Sequence, residues 1–406
     1  MHYDDVYEYS EGVGEAVDSI EKLHNEGFLE EVITLAEYAL TRAGAVMEEV
    51  DDSDGLVGGE IERLLELHLS ACTKAQSDPV ELAGRLFSYE LEYGGYDIFY
   101  HPAETYKKVL GAAGLAEYRR CAEAEWAKIP AKGAASRETG WDSKRSRITG
   151  IMESLAKAEG DVDGLIAIKK RDLSSSWQYL DIAEICLKAK RHDEALQWAE
   201  KGLAAYKDKP DNRLRDFIAA EYHRRKRCDE ALALYWLQFA EWPEPELFKK
   251  LVGYAKKIRK YETVRAEALL YLRKDIEKEK NNPKARYWHM KPDHSRLVEI
   301  FIWEKEVENA WNEAKAGGCR DSLWLELAKL REKEHPADAL PVYQRLVEPI
   351  IAQMKNPAYE EATRMIRHIR ELLHGMGQKA EFATYLAQVR LRHKPKRNLM
   401  KLLDRL

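Results

Sequence analysis

The sequence predicts an all-α chain, a superhelix of antiparallel helix pairs, and three observations carry that expectation. Apolar residues recur at spacings of three and four almost throughout, without the sustained alternation a strand requires. Glu, Lys, Leu, Ala and Arg, all good helix formers, dominate the composition. One pattern is also written twice, at Tyr179–Asp208 and at Arg215–Glu241. Each copy is an amphipathic helix, a short basic turn, the tetrapeptide Asp-Glu-Ala-Leu and a second amphipathic helix. The tetrapeptides, Asp193–Leu196 and Asp229–Leu232, lie 36 residues apart. A period of this length with two helices per unit is the mark of a helical repeat array, whose units bury their apolar faces by stacking.

Small residues sharpen the helix-pair reading. Ala183 and Ala219 fall in the first helices, and Ala195 and Ala231 open the second ones, 12 residues later in each case. Small side chains at both places let two antiparallel helices approach closely. The spacing recurs at Val252/Val264, Val298/Ala310 and Leu327/Ala339. The alternative is an irregular helical bundle containing two similar hairpins. The pattern resembles the tetratricopeptide repeat, with Cys186 and Tyr222 at that family's aromatic site. The match is partial, because the opening residues of the second helices stand 36, 33, 46 and 29 residues apart. The resemblance implies a right-handed superhelix, a tetratricopeptide-like α-solenoid.

In chain order, residues 15–43 read as a helix, a stop at Gly27 and a second helix. The acidic loop that follows carries Asp52 and Asp54 before Gly55. It fails as a calcium loop, since Val50 and Ile61 would occupy the first and twelfth positions. Residues 60–76 and 79–92 form the next pair, the second entered through Ser77-Asp78-Pro79, a cap followed by proline. His68 and Cys72 share a face there and read as a packed pair, because no second pair of ligands lies nearby. The loop Tyr93–Tyr106 is dense in aromatics and is expected to tuck against the helices. Two further helices, broken at Gly111 and Gly114, fill 103–128.

The segment 129–147, with Pro130, Gly133 and Gly140 among small polar residues, is the expected linker or hinge between an N-terminal helical module (1–128) and the main array (148–406). Beyond the repeats, 274–293 reads as an insertion. Its His289, Asp293 and His294 do not have the spacing of helical metal ligands. Residues 295–354 carry two more pairs, and 357–374 with 377–392 another. The end, Lys394–Leu406, reads as a short basic amphipathic helix that caps the array.

Other classes are narrowed by what is missing. No run of 18 apolar residues occurs, so no membrane span is expected, and the acidic N-terminus lacks the apolar stretch of a secretory signal. The five scattered cysteines form no C-x-C or C-x-x-C pair, which excludes a finger-like zinc site and favours a cytoplasmic location. Cys186 reads as a small core residue. Phosphate-binding loops, the nucleophile elbow and H-E-x-x-H are absent, so neither enzyme nor cofactor is expected. A net charge of −6 argues against a surface built wholly for nucleic acid.

A wider resemblance runs through DDSDG (Asp51–Gly55), SDPVELAGRLF (Ser77–Phe87), VLGAAGLAEYRR (Val109–Arg120), GDVDGLIAIKKRDLSSS (Gly160–Ser176), the Asp193–Leu196 tetrapeptide and KRNLMKLLDRL (Lys396–Leu406). These strings are similar to the helical region that follows the zinc finger in bacterial SWIM zinc finger proteins. The family's C-x-C and C-x-H ligands do not occur here, so its zinc site and nucleic-acid association do not carry over. Any nucleic-acid contact would come through a finger outside this chain. A scaffold for a protein or peptide partner is expected instead; the alternatives are an accessory module of a zinc-finger nucleic-acid-associated protein and, third, an enzyme whose active site no short motif reveals. In a tetratricopeptide superhelix the first helices line the concave face, and their late positions here carry Lys188, His223, Arg224, Lys256 and Lys257, with Lys249 one or two turns earlier. Arg191, Arg225, Lys226, Arg227, Arg259 and Lys260 extend the basic character into the turns. Such a stripe suits an acidic peptide or chain terminus, held by charge-assisted hydrogen bonds.

Overall fold

The computed structural model describes residues 3–46, 55–93, 98–134, 142–208, 211–281 and 293–406. The acidic loop at 47–54 and His289 lie outside these residues. The described residues are 81% helical and contain no strand. An isolated parallel bridge joins Lys132 to Asp172.

The helices are α1 (Tyr3–Glu26), α2 (Leu29–Val46), α3 (Leu56–Ala75), α4 (Pro79–Tyr93), the single turn α5 (Pro102–Thr105), α6 (Lys107–Ala127), α7 (Ser143–Glu159), α8 (Val162–Lys169), α9 (Ser176–Lys188) and α10 (His192–Ala205). They continue with α11 (Asn212–Arg224), α12 (Cys228–Glu241), α13 (Pro245–Lys257), α14 (Tyr261–Lys280), α15 (Ser295–Trp303), α16 (Val307–Gly317), α17 (Asp321–Arg331), α18 (Pro336–Ala352), α19 (Asn356–Gly375), α20 (Lys379–Arg392) and α21 (Arg397–Leu403). The chain divides into two compact units, Met1–Ile218 and Ala219–Leu406, and the division falls inside α11.

The helix pairs are closed by one recurring turn. The N–H two or three residues past the first helix donates to a carbonyl five residues back: Phe28 to Leu23 at 3.0 Å, Ser77 to Cys72 at 3.2 Å, Asp161 to Ala156 at 2.9 Å and Arg191 to Cys186 at 2.8 Å. The same bond joins Arg227 to Tyr222 and Lys260 to Ala255, both at 2.9 Å, and Glu306 to Phe301 and Gln378 to Leu373, both at 2.8 Å. This is the Schellman closure, and it requires a left-handed residue just before the donor. Gly27, Gly160 and Gly377 take that position with φ of 91, 68 and 79°, but Lys190, Lys226, Arg259 and Lys305 adopt it at 61, 62, 60 and 63°. For a residue with a Cβ the conformation costs about 1 kcal/mol.

Packing follows the 12-residue spacing. Ala183, Ala195, Ala219, Ala231, Val252, Val298, Ala310, Leu327 and Ala339 are each fully buried, and Val264 is 5% exposed. Gly202 shows how close the approach is in the first unit. A Cβ there would stand 2.5 Å from Cβ of Tyr179 and 3.1 Å from Leu214.

The first unit has a core running from Val17 to Ile151. It therefore continues across 129–147, because Ile148 and Ile151 of α7 belong to it and Ile129 packs against it. The described ends of that segment are bonded rather than free. Lys132 N–H donates to the Arg171 carbonyl at 2.8 Å, and Leu173 N–H to the Lys132 carbonyl at 2.7 Å. The guanidinium of Arg145 donates to the carbonyls of Pro130 at 2.8 Å and Arg171 at 3.0 Å. The compact division lies at Ile218/Ala219. Gly111 is non-helical (φ 53°, ψ −160°), so the span of α6 is two helical pieces that meet at a kink there, where the break was expected.

Ile98, Phe99 and Tyr106 of the aromatic loop are buried, as its apolar content requires, and Tyr100 is exposed. The cap at Asp78 is formed: its Oδ1 accepts from the N–H groups of Val80 and Glu81, both at 2.9 Å. In the second unit one core extends from Phe239 to Leu403. Helix α21 closes it with Leu399 and Leu403 fully buried, and Arg390 donates to the Leu403 carbonyl at 2.8 Å.

Candidate partner-binding surface

Of the six residues expected to form a basic stripe, Lys188 lies in the first unit and the other five in the second. Lys188 ends α9 and is exposed. His223 ends α11 against α13. Its Nδ1 is in hydrogen-bond contact with the Tyr254 hydroxyl at 3.1 Å, and the two rings meet edge to face at 5.6 Å. Burial, first of all, pushes the Tyr254 hydroxyl up to about 12, so it stays protonated. Lys256 and Lys257 end α13, exposed, and neither makes an ion pair among the described residues.

Two members of the stripe are already engaged. Arg224 donates from Nε and Nη2 to the Glu221 carboxylate at 3.1 and 2.8 Å, and Glu221 is only 5% exposed. Arg225 approaches the same carboxylate at 3.8 Å. Reversing Arg224 to Glu would set a second carboxylate against a buried one, so that change is not neutral for the fold. Lys249 is half-buried, pairs with Glu246 at 2.6 Å and sits 6.0 Å from the Trp303 ring of α15. Its charge is directed along the helix surface rather than left open.

The turns contain a device that spacing alone did not reveal. The residue after the left-handed position reaches back to an acid in the first turn of the preceding second helix. Arg191 pairs in this way with Asp163 of α8, and Lys260 with Asp229 of α12 at 2.5 Å. Asp229 belongs to the Asp-Glu-Ala-Leu tetrapeptide, so one of its roles is to lace adjacent turns. Its place at a helix N-terminus also suits a negative charge.

Buried polar groups elsewhere serve the core. His68 is fully buried, and its Nδ1 contacts the Tyr106 hydroxyl at 2.7 Å. Its Nε2 contacts Oε1 of Glu37 at 3.2 Å. Glu37 also accepts from Arg85 at 3.0 Å and from the Tyr89 hydroxyl at 3.0 Å. Cys72 Sγ lies 3.6 Å from His68 Nε2. The order Cys-His-Glu resembles a nucleophile with its base, but Cys72 and His68 are sealed from solvent, and burial pushes the thiol up to about 11. The network is structural. Cys186 is likewise buried, its thiol also pushed up to about 11 by burial.

His294 is held by Glu313 at 2.9 Å, and Asp293 caps the N–H of Ser295 at 2.8 Å. No cluster of three metal-binding side chains occurs among the described residues, and no described helix is long and apolar enough to cross a membrane. A cleft of about 970 Å³ opens among the α5 turn, α6 and α7, but the Arg119–Glu159 ion pair spans it.

Stacked helix pairs with laced turns define a helical-repeat scaffold. The particular family is DUF6880, a family of unknown function, to which this chain belongs: its model matches residues 32–401. No curated protein matches the sequence. Among solved structures, a tetratricopeptide repeat protein from Parabacteroides merdae is similar at 12% identity, covering 64% of this chain and 99% of that one, with a TM-score of 0.26. The tetratricopeptide domain of P58(IPK) aligns at 11% identity over 97% of each chain, TM-score 0.19. Yeast Tom70 aligns at 12% identity over 95% of this chain and 98% of its own, TM-score 0.21. The helix pairing described above rests on the chain's own bonds and packing, not on these likenesses.

Proposed function

We propose that this chain is a protein- or peptide-binding scaffold, and that the second unit takes an acidic ligand at the ends of its first helices. The observation that carries the reading is the pair Lys256 and Lys257, exposed at the end of α13 without acidic partners, beside the His223–Tyr254 contact. Two desolvation-ready cations at the end of one helix, with a histidine and a protonated tyrosine hydroxyl beside them, suit a carboxylate. Arg224 and Lys249 take a lesser part, since each already answers an acid. No side-chain arrangement among the described residues calls for a catalytic role, and the sequence resemblance to SWIM zinc finger proteins would place any nucleic-acid contact in a finger outside this chain.

The test is titration of a fluorescein-labelled, glutamate-rich peptide, followed by anisotropy. Lys256→Gln with Lys257→Gln should weaken binding about tenfold, the effect of losing roughly 1.4 kcal/mol, with helicity unchanged. Equal binding by the double variant would overturn the reading.

A further inference from the structure

Three turns of the second unit stand side by side on one edge, and each carries a basic residue that answers no acid. They are the α11–α12, α13–α14 and α15–α16 turns. Lys260 in the second turn pairs with Asp229 beside the first. Arg265 of α14 donates to Glu304 at 2.8 and 2.6 Å and to Glu306 at 2.8 Å, and the Tyr261 hydroxyl donates to Glu304 at 2.9 Å, which ties the third turn to the second. Arg227 is taken by Glu230 at 2.5 Å.

What remains is Lys226, Arg259 and Lys305. All three are exposed, all three sit at the left-handed position, and none of their side chains makes a hydrogen bond or ion pair among the described residues. Glu262, exposed at the start of α14, is the acid of this edge without an ion pair. Glycine closes the same turn with the same bond at Gly27, Gly160 and Gly377, so the turn itself does not call for a cation. Favourable charge at a helix C-terminus is available from side chains in relaxed conformations one turn earlier, as Lys256 and Lys257 already show. Three successive strained positions that all keep a long cation, where glycine would be relaxed, indicate that the side chains are kept for what they reach outside the fold.

We infer that Lys226, Arg259 and Lys305 are a row of anchors for an extended acidic peptide carrying a carboxylate at about every third residue. The inference rests on the acidic-ligand reading above and assigns that ligand a register. Packed neighbouring helices stand about 8–10 Å apart, and an extended chain advances about 3.3 Å per residue, so one anchor corresponds to three peptide residues. Duplex nucleic acid presents a charge about every 1.7 Å and is met by dense cationic surfaces. A sparse row on a chain of net charge −6 matches the peptide better. Lys256 and Lys257, just before Arg259, add charge at the middle anchor.

Two labelled peptides of about twelve residues, long enough to pass three anchors, test this with the full chain. One repeats Glu-Ser-Gly, and the other has the same composition with its glutamates in one block. The native chain should bind the spaced peptide more tightly. Lys226→Gly, Arg259→Gly and Lys305→Gly together should erase that preference and weaken binding about tenfold, while raising Tm because glycine relaxes the turns. The rise in Tm shows that lost binding is not lost folding. If the triple variant binds as the native chain does while Lys256→Gln with Lys257→Gln weakens binding, the row is overturned and the acidic-ligand surface stands. If neither variant weakens binding, both fall. A single-stranded oligonucleotide of similar length bound more tightly than either peptide would overturn the peptide assignment.

Discussion

Replacing Glu90 by glutamine isolates the effect of one buried carboxyl on the pH dependence of the first unit. Glu90 is 4% exposed. Its Oε1 accepts from the His101 N–H at 3.1 Å and its Oε2 from the Tyr118 hydroxyl. Burial pushes the carboxyl up to about 8, against which the His101 N–H pulls it down. Below about pH 4.5 the group is protonated in both the folded and unfolded chain, and the full stability is present. As pH rises from there the unfolded chain ionises while the folded one holds its proton, so stability is lost until about pH 8 and is level above it. At about 1.4 kcal/mol per pH unit the loss is on the order of 5 kcal/mol. Glutamine keeps an acceptor for the His101 N–H and cannot ionise. Urea unfolding of both proteins from about pH 5 to about pH 8, followed by circular dichroism, should show the glutamine variant gaining on the native chain by about 1.4 kcal/mol per pH unit. The His101 ring, 3.7 Å from Oε1, is present in both proteins. A stability difference that does not change with pH would refute the reasoning.

Three further outcomes follow from the packing. Gly202→Ala should destabilise the first unit by about 1–3 kcal/mol in thermal unfolding, because the new Cβ meets Tyr179 and Leu214. Arg145→Met should cost about 1–3 kcal/mol and increase hydrogen exchange at Lys132 and Leu173, since two carbonyls lose their shared donor. Lys226→Gly alone should raise the stability of the second unit by about 0.5–1 kcal/mol in urea, the left-handed strain relieved less the helix-terminus charge removed.

The helix pairs were legible because the determinants are local and periodic. The Ala183/Ala195 and Ala219/Ala231 spacing marks crossing points, and each of those residues is fully buried. The basic turns were also visible, but their geometry was hidden: lysine or arginine occupies a position whose usual sign is glycine. The division of the chain was not legible. Glycine and proline at 129–147 read as a linker, but Arg145, an unremarkable residue in sequence, ties that strand of chain to Arg171 across a distance no local rule covers. Lys188, His223, Arg224, Lys256 and Lys257 fall in the last turns of their helices, whereas the pairing of Arg224 with Glu221 depends on which face of α11 turns inward. Charges in sequence do not show which are already answered.

The central claim, that an acidic peptide lies along the turns of the second unit, is tested most directly by photo-crosslinking. A spaced glutamate peptide carrying a benzophenone at its centre would be irradiated with the full chain and the adducts mapped by mass spectrometry. The account predicts adducts within the α11–α12, α13–α14 and α15–α16 turns, around Lys226, Arg259 and Lys305, that disappear in the triple glycine variant. Adducts concentrated in the cleft of the first unit, lined by Tyr100, Leu115 and Leu155, would contradict it.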